Sequence, residues 1–363
     1  MEESKKKSEL RYCEVEIFGK YIIDVCKRLK TDIDTQIYMG RKKETNEEVV
    51  FKLKEIKSYE GHYLKKESYI YEKIQGIKRI PKLYDFGSQG NYYLLVIELL
   101  GPSLKWLLES VEGKFSLATT LKIGVQVLEI IKEIHKKGVV LRYLKPGNIV
   151  IGSGENKDYI YLLDFEIAKE YIKDGVHIPY RTDIKIKGNR DYISLNVHYG
   201  NEVSRRDDIE SFGYNLIVLL KGELPWSHIK RSNDILEKKE NISLDELCEG
   251  CPEEFKEIIK YSKELGFTEE PNYSYLNLLL KKAAEKNGID IDKVKYDWDI
   301  KKEKEKEGKN INDKREEKSD EKNEEENLRK DKENENKNND EKKDEINYKE
   351  DEKNASEKDS AQK

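Results

Sequence analysis

The sequence predicts an α+β protein of two lobes, the first β-rich and the second helical, with a cleft between them and a disordered charged tail behind. Three observations carry that prediction. Short β-rich runs fill about 17–100, apolar residues recur at helical spacing over about 101–299, and residues 300–363 hold little that could be buried.

Residues 1–16 are polar and Lys-rich at their start and are expected to form a flexible lead into one folded domain over 17–299. Within it, Val49-Val50-Phe51-Lys52-Leu53 and Tyr92 to Leu99 read as strands, being rich in β-branched and aromatic residues. A helical segment lies near Tyr63–Gln75, and Gly101-Pro102 marks the change of lobe. Leu117, Leu121, Val125, Leu128 and Ile131 then recur at three- and four-residue steps, with Lys122, Glu129, Lys132 and Lys136 turned away. Gly138 ends that helix. A second helix, about Asp208 to Leu220, carries Ile209, Phe212, Leu216, Ile217, Leu219 and Leu220. It is apolar nearly all round, as a buried central helix would be.

Charged residues make up 39% of the 363 and hydrophobic ones 36%, too polar for a wholly packed chain. Of 69 Lys+Arg and 74 Asp+Glu, 19 and 23 fall in 301–363 beside six apolar residues, leaving 50 and 51 in 1–300. The folded part is therefore nearly neutral and is no electrostatic magnet for nucleic acid. The tail cannot bury enough surface to offset chain entropy, and its Asn residues weaken any helix that Glu–Lys pairs four apart would favour. Four cysteines in a chain this long do not form a disulfide framework. No apolar run marks a secretory signal in Met1–Leu10, and none is long enough to span a bilayer. The expected setting is a reducing one, cytoplasm or nucleus, with no membrane.

Four separated features carry the chemistry. Lys52 sits in a strand and Glu67 in the helical segment after it. Lys145-Pro146-Gly147-Asn148 follows a Val-Val-Leu strand, and Leu163-Asp164-Phe165 ends a second apolar run. A lone strand lysine is ordinarily a solvated edge residue, and an isolated Asp-Phe pair means nothing. In this order, however, they match the protein-kinase set of strand Lys, helix Glu, catalytic-loop Asn and metal-binding Asp.

From about Tyr21 to Asp299 the chain further resembles the casein kinase I family. Ile97-Glu98-Leu99-Leu100-Gly101-Pro102-Ser103-Leu104 is similar to that family's hinge. Ser204-Arg205-Arg206-Asp207-Asp208-Ile209-Glu210-Ser211 resembles a second signature, and Ser194-Leu195-Asn196 stands where the family has Ser-Ile-Asn. Gly222 to Trp226 and Pro271 to Leu276 also fit. The resemblance implies the two-lobed protein-kinase fold, with ATP and magnesium as cofactors. Lys52 would neutralise the α- and β-phosphates with Glu67 holding its ammonium. Asn148 and Asp164 would ligate magnesium, and Lys145 would stabilise the transferring phosphoryl group. Adenine would lie against the backbone of Glu98 and Leu100, with Ile97 as gatekeeper.

The chain departs from the family where the reaction happens. An active kinase carries His-Arg-Asp, and the Asp accepts the substrate hydroxyl proton; here the residues are Leu141-Arg142-Tyr143. A neutral phenol cannot take that role at neutral pH, and its bulk fills the place of a substrate hydroxyl. Aligned on Ile37-Tyr38-Met39-Gly40, the phosphate-covering loop has Lys30, Asp32 and Thr35 at its three glycine positions. Each adds a Cβ that closes off positive φ, and Asp32 and Asp34 bring negative charge toward a triphosphate. Glu166 replaces the glycine of Asp-Phe-Gly, adding a carboxylate that could bind a cation or repel phosphate. Asp191 reverses the charge of a family Arg before Tyr192, with Arg190 beside it, and Asn189 replaces a threonine.

Other signals are weaker. Cys248-Glu249-Gly250-Cys251 lacks two further zinc ligands, so packing is the expected role. Arg190, Arg205 and Arg206 are anion-binding candidates, although Asp207 and Asp208 could satisfy the last two. Asp208 matches the family residue that holds the catalytic loop from below. The sequence thus points to a casein kinase I-like pseudokinase that binds protein partners as a scaffold or allosteric partner, with weak or absent ATP and magnesium binding. The alternative is a slow Ser/Thr kinase.

Overall fold

The computed structural model describes residues 13–31 and 35–306. Six antiparallel strands form the first lobe, in the order β1-β2-β3-β4-β6-β5. They are β1 (Glu14–Ile17), β2 (Tyr21–Thr31), β3 (Gln36–Lys42), β4 (Glu48–Glu55), β5 (Leu83–Gln89) and β6 (Tyr92–Glu98). Val49 and Phe51 point to one buried cluster with Ile23, Leu94 and Val96. The period of two sends Lys52 and Lys54 to the other face of β4. Across that face lies α1 (Tyr59–Ile74), begun by Ser58, whose hydroxyl accepts from the Gly61 amide at 3.0 Å.

The structure corrects the lead expected over 1–16. Residues 14–17 form β1, paired with β2 from Glu14↔Asp24 to Ile17↔Tyr21, and Ile17 is buried. A four-residue strand with one buried side chain gives almost no periodic signal. The same hairpin joins Cys13 and Cys26 in a single disulfide that the sequence reading did not anticipate. Strand pairing brings together two residues thirteen apart, which the spacing does not reveal. Cys248 and Cys251 are free, and Cys248 lies in the apolar cluster around Trp226, where burial pushes its thiol up to about 12. Residues 1–12 lie outside the described residues.

The second lobe is built on α3 (Leu117–Lys136) and α5 (Arg205–Lys221), with α2 (Leu104–Ser110) ahead of them and the short α4 (Leu195–His198) between them in the chain. Around them lie β7 (Val139–Val140), β8 (Ile149–Ile151) and β9 (Ile160–Leu162). Ser116 caps α3, and at the start of α5 the Asp207 carboxylate accepts from the Ser204 amide at 2.7 Å. Gly222 ends α5 at φ 94°, where only glycine is unstrained. Its buried residues run from Asp207 through Leu219 without a break, as a central helix requires. The compact unit ends at Trp298, which stacks on Tyr296 at 4.3 Å. The second unit begins at Asp299, and residues 297–306 are helical. Disorder expected over 300–306 is therefore corrected; those lysines and glutamates are good helix formers. The rest of the tail, 307–363, lies outside the described residues. Among the described residues no helix is long and apolar enough to cross a membrane.

Candidate active site

On the first lobe's side, Lys52 from β4 meets Glu67 from α1 at 2.8 Å. Lys52 also reaches Asp164 at 3.1 Å and Glu166 at 3.3 Å, so one ammonium faces three carboxylates. Burial opposes that charge, but Asp164, Glu67 and Glu166 outweigh it and hold the Lys52 pKa well above its usual value. Burial also raises the Glu67 carboxyl to about 7, against the pull of Lys52. Asp164 is desolvated as well, yet Lys52 wins there and its pKa is lowered. The nearest oxygens of Glu67, Asp164 and Glu166 lie within 4.8 Å of one another, a hard-oxygen set of the kind divalent cations favour.

Across the cleft, Asp208 of α5 anchors the catalytic loop. Its carboxylate accepts from the Leu141 amide at 2.7 Å and the Arg142 amide at 2.9 Å, and bonds His135 at 2.8 Å. This is the structural role the sequence assigned it. Gly188 (φ 117°) sits against the loop from the activation segment, where a Cβ would come within 2.9 Å of the Arg142 carbonyl. Asn148 donates its side-chain amide to the Tyr143 carbonyl at 3.0 Å. Its backbone carbonyl accepts from the Leu163 amide at 2.9 Å, which ties the loop to the start of the Asp164 segment. Lys145 places its ammonium 4.0 Å from the centre of the Tyr143 ring, a cation–π contact. Phe165 is buried edge-on against Tyr71 of α1 at 4.9 Å. Arg142 and Asp164 both adopt φ 67°, uncommon for side-chain-bearing residues and frequent at functional sites.

A curled sheet over a helical lobe, with this order of residues at their junction, is what one known family shares. Residues 34–283 match the protein kinase domain. The chain belongs to the protein kinase family.

In this kinase domain, Lys52, Glu67 and Asp164 meet, Asn148 bonds the Tyr143 carbonyl and the Leu163 amide, and Lys145 lies over the Tyr143 ring. Ile97 is buried at the end of β6. The Glu98 amide donates to the Lys82 carbonyl at 3.0 Å. The loop from β2 to β3 is short, because Thr31 already pairs with Gln36. Lys30 lies at a strand position and Thr35 just ahead of β3, while Asp32 lies outside the described residues.

Arg205 and Arg206 are not open anion sites. Arg205 donates to the Thr268 carbonyl at 2.7 Å and lies over Tyr171, and Arg206 donates to the Leu265 carbonyl at 3.2 Å beside Phe267. The neighbouring acids serve elsewhere: Asp207 accepts from Ser194 and the Ser204 amide, and Asp208 holds the catalytic loop. Arg190 is exposed and donates to the Ser232 hydroxyl. Sequence reasoning missed Lys54, which meets Glu166 at 2.8 Å and is almost fully buried.

Proposed function

We propose that this kinase domain is a casein kinase I-like pseudokinase that acts by binding protein partners, as a scaffold or allosteric element. One observation carries the reading. The catalytic loop presents the phenol of Tyr143 where the family has a carboxylate, and the Lys145 ammonium lies against that ring. A loop so arranged lacks the group that accepts the substrate proton, a loss of about 10²–10⁴ in rate.

Weak nucleotide binding fits the remaining residues. Lys52 would hold the α- and β-phosphates, with Glu67 fixing its position 2.8 Å away. Asp164 and Asn148 would hold magnesium, because the Asn148 amide nitrogen is committed to the Tyr143 carbonyl and its oxygen remains as a ligand. Magnesium there supplies neutralising charge for the phosphates. The Glu98 carbonyl and the Leu100 amide would line the adenine, behind Ile97.

The test is phosphotransfer with magnesium and ATP, on an acidic Ser/Thr substrate and on the chain itself, beside Lys52→Ala. We expect no activity above that variant. Activity well above it overturns the reading in favour of a slow Ser/Thr kinase, the alternative that the preserved Lys52–Glu67 pair favours.

A further inference from the structure

The register of β2 against β3 shifts between Ile23 and Arg28, and again between Arg28 and Lys30. Ile23 faces Gly40 and Arg28 faces Tyr38, so β2 carries residues 24–27 where β3 carries Met39 alone. A bulge of that kind leaves backbone groups unpaired and weakens the ladder around it. Within the bulge, the Cys26 amide donates to the Asp24 carboxylate at 3.1 Å. Support from β1 stops at the same place, because its pairing with β2 ends at Glu14↔Asp24. Beyond the bulge, among the described residues, β2 is held by Arg28↔Tyr38, Lys30↔Ile37 and Thr31↔Gln36 of β3.

Cys26 lies in that bulge, and its disulfide to Cys13 fastens the bulge to the residue just before β1. A short two-stranded ribbon is marginal by itself in water, and a cross-link removes conformations from its open form. Cys26 is exposed and Cys13 half-buried, so the bond is within reach of a small reductant. The strand so fastened carries Lys30 and runs to the loop where Lys30, Asp32 and Thr35 stand in the family's three glycine positions.

We propose that Cys13–Cys26 is a redox-controlled tether for the tip of the first lobe's sheet. Closed, it holds the far half of β2 against β3. A dithiol opens it: one thiolate attacks the Cys26 Sγ, the S–S bond breaks, and the Cys13 sulfur leaves with the electron pair and takes a proton. The dithiol's second thiol then displaces Cys26 from the mixed disulfide. The protein gains two thiols and the dithiol becomes a disulfide, so two electrons and two protons pass between them. The order of the strand leading to the phosphate-covering loop then follows the thiol–disulfide balance around the chain. The inference goes beyond the proposed function and holds whether or not the chain binds nucleotide or transfers phosphate.

Hydrogen exchange of the full chain, first oxidised and then reduced with dithiothreitol, tests it. At short exchange times only local openings register. Amides in 28–38 should then exchange at least about tenfold faster in the reduced chain, while β4 and β6 keep the same protection in both states. A chain with both Cys13→Ser and Cys26→Ser should match the reduced wild type, with or without dithiothreitol. Unchanged exchange over 28–38 overturns the tether, as does a loosening that β4 and β6 share equally. A response to dithiothreitol in the double-serine chain assigns the effect to Cys248 or Cys251 and overturns it too. If that chain does not fold, the two states of the wild type decide alone. Intact mass checks the closed form, and a wild type that keeps four thiols under an oxidised dithiol overturns the proposal.

Discussion

The two sides of the cleft have kept different things. The first lobe's side retains a buried lysine–glutamate pair at 2.8 Å and adds a second lysine, Lys54, behind it. The second lobe's side retains Asn148 and Asp164 but presents Tyr143, half-buried, where a proton acceptor belongs. The difference follows from burial. Breaking a buried ion pair leaves an uncompensated charge and costs about 3–5 kcal/mol, so stability holds the gripping side in place whether or not phosphate is transferred. A half-buried loop side chain carries no such penalty, so stability does not fix its identity. An intact Lys–Glu pair is therefore weak evidence for activity, and the loop residue is the better witness.

The sharpest way to break this comparison is to restore the loop. With Tyr143→Asp, phosphotransfer should rise over wild type by at least about 10²-fold, the lower end of what a positioned general base supplies. It should also free Lys145 from the ring it now faces at 4.0 Å. No rise would mean that the gripping side is also disabled, by the glycine-free loop or by Glu166, and the contrast between the two sides would collapse.

The next largest effect is on stability. Lys52→Ala leaves Glu67, Asp164 and Glu166 facing one another without their shared ammonium. Urea unfolding at pH 7.5 should show a loss of about 3–5 kcal/mol, whereas Tyr143→Phe, on the other side, should stay within about 0.5 kcal/mol. Comparable losses from the two would sink the claim that the sides are held by different forces.

These predictions rest on a site that was largely legible in the sequence, for a physical reason. Lys52, Asn148 and Asp164 sit in short motifs whose order survives without the fold, and the periodic faces of α3 and α5 announce their own burial. What stayed hidden depends on pairing across long stretches of chain. Lys54 looks like a solvated strand lysine until β4 and the segment after β9 come together and hand it Glu166. The guanidinium groups of Arg205 and Arg206 look open until the carbonyls of Thr268 and Leu265 close over them. The strand β1 has one buried residue and no periodicity to read, and its cysteine partner lies on another strand.

That hairpin gives a smaller effect on the first lobe. Reducing the Cys13–Cys26 bond, or replacing Cys26 by Ser, reopens a loop whose ends are thirteen residues apart. A thermal melt with and without dithiothreitol should show a loss of about 2–3 kcal/mol, from the entropy returned to the unfolded chain. Intact mass under non-reducing conditions checks the bond itself. Identical melts would show that the hairpin is held by its backbone pairing alone.

The smallest effect lies in the second lobe and is read through pH. Lys239 is buried in α6 (Ser232–Asn241), donating to the carbonyls of Arg190 at 3.0 Å and Ile193 at 2.7 Å, so it pins the activation segment. The rings of Tyr214 and Trp226 flank it. Burial lowers its pKa from 10.5 to about 7, with Glu210 and Asp191 opposing. Below pH 7 both folded and unfolded chains hold the proton, and the group adds no pH dependence. Between about 7 and 10.5 the unfolded chain binds a proton that the folded chain has released, so stability rises with pH. From pH 7 to 8.5 the wild type should gain about 1–2 kcal/mol relative to Lys239→Met, measured by urea unfolding at each pH. Parallel pH profiles would mean that Glu210 and Asp191 keep the ammonium charged. The activation segment would then be pinned by an ion, as Lys52 pins the first lobe, and the two sides of the molecule would be more alike than their catalytic residues.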